Sequence, residues 1–145
     1  MNSSLRGELE RSGQIIQTTV GDSMQPMLYN RKSAVVIKKT DGILKKYDLP
    51  LYQRPDGKYV LHRILKVRKN DYIICGDNRW KRETVPHDWV IGCTTGYYKD
   101  KKLISVDDKK YQRYVHLWCR FFIIRAAILW IKDLPSRIRY KIVKI

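Results

Sequence analysis

Turn signals recur through the first two thirds of this chain at a spacing that only short strands can fill. Tyr29-Asn-Arg, Thr40-Asp-Gly, Arg54-Pro-Asp-Gly, Lys69-Asn-Asp, Gly76-Asp-Asn and Lys99-Asp-Lys combine residues that favour tight turns or interrupt regular structure. Between them lie apolar, β-branched and aromatic runs at 14–20, 34–39, 49–54, 59–67, 71–75, 89–98 and 102–106. Runs of that length, several of them alternating, read as strands. The fold expected is mainly β, a small folded-over antiparallel sheet or barrel. Ahead of it, residues 3–11 predict a short helix with Leu5 and Leu9 on one face.

From about Lys109 the chemistry changes. Residues 115–131 are aliphatic and aromatic with helical period, interrupted by Arg120 and Arg125, and residues 109–145 carry ten Lys/Arg against one Asp. The chain therefore divides by composition into a β domain, 1–106, and a basic, aromatic helical segment, 107–145. That helix is too short and too charged to predict a span. It suits the interface of an anionic membrane, with a helix packed on the domain as the alternative. The first eighteen residues are too polar for a membrane anchor or a cleavable signal. Three cysteines, Cys75, Cys93 and Cys119, have no disulfide framework and no metal-ligand spacing, so no metal or cofactor is expected.

Residues 21–28 read Gly-Asp-Ser-Met-Gln-Pro-Met-Leu. Pro26 lacks an N–H and restrains the residue before it, so Ser23 is presented on an irregular loop after a strand. A serine hydroxyl needs a base, and the chain offers three histidines, His62, His87 and His116. His62 lies in a strand-like run and can accept and return a proton. His87 follows Pro86 in a loop-like stretch and reads as solvated, and His116 reads as an interface residue of the basic segment. Asp77, in the Gly76-Asp-Asn turn, and Glu83, six residues on, are carboxylates that could orient His62.

Taken in order, Gly21-x-Ser-Met-x-Pro-x-Leu28, His62-Arg-Ile and Gly76-Asp-Asn resemble the type I signal peptidase and LexA-like serine peptidase superfamily, over roughly residues 13–97. The resemblance implies that superfamily's fold, Ser23 as nucleophile and His62 as general base, the pattern of the histidine-type signal peptidases. It places Glu83 at the triad acid, where an aspartate is usual, and Asp77 in the turn. Gly21, Asp22, Met24 and Pro26 become the substrate-binding and oxyanion surround. Where many bacterial members have a serine that donates to the oxyanion, this chain has Gly21, which leaves that work to backbone N–H groups.

The function expected is a membrane-associated bacterial serine endopeptidase that cleaves leader or signal peptides from precursor peptides. The alternatives are a catalytically idle relative that binds peptides or membranes, and a basic nucleic-acid-binding protein. The net charge of +16 admits the last. However, the basic pairs sit mostly in turns and no helix-turn-helix precedes the β region, so nucleic acid is not expected as a partner.

Overall fold

Ser4 begins the first element: its Oγ accepts a hydrogen bond from the Gly7 N–H at 3.1 Å and caps α1 (Leu5–Ser12). The structure, a computed structural model, describes residues 4–135. Residue 3 of the predicted first helix and residues 136–145 of the C-terminal segment lie outside the described residues.

Nine strands follow α1. They are β1 (Gln14–Thr18), β2 (Ala34–Lys39), β3 (Pro50–Gln53), β4 (Tyr59–Leu61), β5 (Arg63–Val67), β6 (Asp71–Cys75), β7 (Glu83–Pro86), β8 (Val90–Lys99) and β9 (Lys102–Ser105). All pair antiparallel. One curled, half-barrel sheet runs β1-β2-β8-β3-β4, and β8 is long enough to carry β9 as well. A second sheet, β5-β6-β7, closes beside it. The fold is thus mainly β, as the turn spacing implies.

Three elements differ from the sequence reading. The run 59–67 is two strands in different sheets, and His62 is the residue between them. Residues 83–86 form β7 on the edge of the second sheet, although Glu-Thr-Val-Pro has no strand signature. The basic segment is two helices, α2 (Lys109–Arg120) and α3 (Phe122–Lys132), bent by 72° at Phe121. No single described helix is long and apolar enough to cross a membrane.

The compositional boundary at 106/107 is not a boundary in the packing. Tyr111, Val115 and Cys119, at helical spacing along α2, are buried in the same core as Leu9, Leu28, Ile37 and Leu49. Burial pushes all three thiols up to about 11, which keeps them protonated.

The most buried polar contact joins α2 to the second sheet. Arg63, at the start of β5, and Asp77, in the turn after β6, are both fully buried and form a bidentate pair at 2.8 and 2.9 Å. Arg63 also donates to the Tyr111 hydroxyl at 3.0 Å and the Tyr47 carbonyl at 3.1 Å, and its Nη2 lies 3.1 Å from Met27 Sδ. The Tyr114 hydroxyl donates to Asp77 Oδ2 at 2.7 Å, and Trp118 Nε1 donates to the Asp77 carbonyl at 2.7 Å. Removing one member of such a pair leaves an uncompensated buried charge. Arg63→Met should therefore lower the unfolding free energy by about 3–5 kcal/mol, measured by urea denaturation. A loss below about 1 kcal/mol would show that the pair is dispensable.

Candidate active site

The loop after β1 carries Ser23, and three contacts from the turn after β6 hold it. The Asn78 N–H donates to the Ser23 carbonyl at 2.8 Å, and Asn78 Nδ2 donates to the Asp22 carbonyl at 3.1 Å. The Arg79 guanidinium pairs with the exposed Asp22 carboxylate, and its hydrogen bond holds that carboxyl below the usual range. Met24 and Met27, on the same loop, turn inward to the buried pair, and Met24 Sδ accepts from the Asp77 N–H at 3.4 Å. Ser23 itself is half-buried.

Gly76 lets the loop and His62 close up. A Cβ there would lie 2.7 Å from the Ser23 carbonyl oxygen and 3.3 Å from His62 Cδ2. The Ser23 main chain and the His62 ring thus both lie against one glycine, where a side chain would not fit.

Behind His62 runs a chain of three more side chains. His62 Nδ1 lies 3.5 Å from the Tyr52 hydroxyl, which donates to Glu83 Oε2 at 2.6 Å. Arg54 Nε and Nη2 clamp the Glu83 carboxylate at 2.8 and 2.9 Å. Tyr52 and Arg54 are two residues apart on and just after β3, and Glu83 opens β7, so both sheets contribute. Burial, then the Glu83 contact, raises the Tyr52 phenol, which stays protonated. Its one proton is committed to Glu83, so its lone pair faces Nδ1. That assigns the proton of neutral His62 to Nδ1 and leaves Nε2 as the free base.

The charges act in opposite directions on His62. Burial disfavours the imidazolium and pushes its pKa down to about 4, and the negative charge of Glu83 works against that shift. Partial burial acts to raise the Glu83 carboxyl. Hydrogen bonds from Arg54 and Tyr52 and the Arg54 charge outweigh it and hold Glu83 ionised.

A cavity of about 250 Å³ opens beside Ser23. Thr18–Val20 and Tyr59–Leu61 form its two walls, and Leu28, Val35 and Leu51 line its base. Among the described residues no further strand pairs beyond β1 or beyond β4, so residues of two open sheet edges line the cleft.

The expected site residues divide accordingly. Glu83 reaches His62 through Tyr52, and the Ser23 main chain and the His62 ring both lie against Gly76. Asp77 commits its carboxylate to Arg63 and Tyr114, which ties it to the core. Gly21 and Met24 line the cavity beside Ser23, although the Gly21 N–H donates to Asn30 Oδ1 at 2.9 Å and Met24 is largely buried. Pro26, after a cis peptide bond, lines a different cavity beside α2 and α3. His87 is half-buried against the Tyr72 ring, 4.3 Å between centroids, and is not a solvated residue. His116 meets the Tyr47 ring edge-on. Tyr52, Arg54, Arg63 and Asn78 are side chains around this site that the sequence reading did not assign. The two-residue spacing of Tyr52, in β3, and Arg54, just after it, was the available signal. Comparison with family models, with curated proteins and with solved structures finds no match.

The depressed His62 pKa has a consequence for stability. The unfolded chain protonates this histidine near 6.5 and the folded chain only near 4, so the unfolded state binds more protons in between. Stability is full above pH 6.5 and falls as the pH drops toward 4, by up to about 3 kcal/mol. His62→Gln should unfold with a flatter pH dependence over that window in thermal melts. Parallel curves for the two proteins would contradict the burial of a neutral imidazole.

Proposed function

We propose that this chain is a serine endopeptidase of the Ser–His, signal peptidase-like kind that its motifs resemble, cleaving leader or signal peptides from precursor peptides. The observation that carries the reading is the approach of the Ser23 main chain and the His62 ring to Gly76, with Ser23 lining a cavity that the edge strands β1 and β4 also line. Open edges suit an extended peptide, which can pair with exposed backbone groups while its side chains enter the cleft. A cavity of about 250 Å³ suits small side chains next to the scissile bond.

In the reaction, Ser23 Oγ attacks the scissile carbonyl while His62 Nε2 takes its proton. The same imidazolium gives that proton to the leaving amine, and water then hydrolyses the acyl-enzyme with His62 again as base. The Ser23 N–H supports the oxyanion. Glu83, ionised by Arg54, stabilises the developing imidazolium through Tyr52. Tyr52 and Arg54 act through their neighbours and are positioning residues.

Ser23→Ala and His62→Ala should each abolish cleavage of an extended peptide library followed by mass spectrometry, with the fold retained. Glu83→Gln should lower kcat about a hundredfold or more at near-unchanged stability, because an amide cannot offset the imidazolium charge. Asp77→Asn should instead lose stability. Cleavage at the parent rate by the Ser23 or His62 variant would remove the peptidase reading.

A further inference from the structure

α3 is built inside out. Its one buried polar side chain is Arg125, 4% exposed, whose guanidinium faces the Cys75 and Cys119 thiols and has no carboxylate partner among the described residues. The guanidinium lies against the rings of Phe122 and Trp118, 4.6 and 5.7 Å from their centroids. Outward, by contrast, stand Ile123, 78% exposed, and Ile124, 60% exposed, followed along the helix by Ile128 and Ile131. A helix that ends its burial in water places these residues the other way round. A contiguous aliphatic face of this kind marks a surface that is covered in use.

We propose that α3 docks this protein, lying flat, on the surface of an anionic lipid bilayer. Charge selects the occupant. Arg120 and Lys132 are exposed beside the apolar face, and residues 109–145 carry ten Lys/Arg against one Asp. The buried Arg125 adds positive charge beneath it. A second copy of the chain would press these cations against their own equivalents, whereas anionic headgroups neutralise them while the isoleucines enter the acyl boundary.

α3 does not span a bilayer by itself: eleven helical residues reach about 16 Å, against a hydrocarbon thickness of about 30 Å. α2 and α3 together have the length and composition of a broken span, but they are bent by 72° and Tyr114 and Trp118 tie α2 to Asp77, which favours the flat arrangement. A cavity lined by Gln25, Pro26 and Asn78 on one side and Leu117, Ile124 and Ile128 on the other makes the apolar face continuous with the back of the Ser23 loop. Docking therefore brings that loop to the bilayer surface. It stands whether or not Ser23 is a nucleophile.

The test is co-sedimentation of the full chain with vesicles of phosphatidylcholine alone and with added phosphatidylglycerol, at low and high salt. Binding should be about tenfold or more tighter to the anionic vesicles and should fall with salt as screening rises. The double variant Ile124→Asp/Ile128→Asp should lose binding with an unchanged circular dichroism spectrum. Arg120→Glu, an exposed single change, should weaken it if the double variant misfolds. Equal affinity for neutral vesicles, or undiminished binding by these variants, would overturn the proposal. So would a dimer in sedimentation equilibrium, or retention of DNA, without vesicle binding. None of these readouts depends on peptide cleavage.

Discussion

The buried pair between Arg63 and Asp77 is the contact on which the rest of this structure depends. Both side chains are fully withdrawn from water, and such a pair is tolerable only when its remaining donors and acceptors are met. Here Tyr111, Tyr114 and Trp118 of α2, the Tyr47 carbonyl and the sulfurs of Met24 and Met27 meet them. The pair therefore draws together the second sheet, the Ser23 loop and α2. Asp77 fixes the turn whose next residue, Asn78, holds the Ser23 carbonyl. Placement of the candidate nucleophile is thus a by-product of solving a burial problem in the core.

The residue beside Arg63 uses the same geometry in the opposite sense. Successive side chains along a strand direction point to opposite faces. Arg63 enters the core, and His62, at the crossing between the sheets, faces the Ser23 loop and Tyr52. Burial without a direct counter-ion drives His62 toward its neutral form. Glu83 stands one hydroxyl away and moderates that shift. The arrangement keeps a base free of its proton over the whole neutral range and holds a negative charge ready for the moment it accepts one.

Much of this was legible in the chain and some was not, for identifiable reasons. Strands β2 and β6 match the predicted runs end to end because their apolar residues lie between strong turn signals. The run 59–67 reads as one strand because alternation continues through His62, and the change of sheet there is a tertiary event with no local mark. β7 is an edge strand paired on one side, so its charged and polar residues carry no hydrophobic pattern. The bend at Phe121 has neither glycine nor proline to announce it. It follows from packing, which turns Phe122 and Arg125 inward while α2 stays on the core. Ser23, His62 and Glu83 could be singled out from motif order, but assigning Asp77 to the core required the position of Arg63. The role of Tyr52 required knowing that β3 and β7 meet beside His62.

The pairing of Ser23 with a desolvated, neutral His62 is most directly probed by the pH dependence of Ser23 modification. A fluorophosphonate probe should label Ser23, identified by mass spectrometry, at a rate that is half-maximal near pH 4 and flat from about 5.5 to neutrality, since the fraction of neutral His62 sets the rate. A half-maximum near 6.5, or a rate still rising through pH 8, would contradict the arrangement described for His62, and absence of labelling at Ser23 would contradict its role as nucleophile.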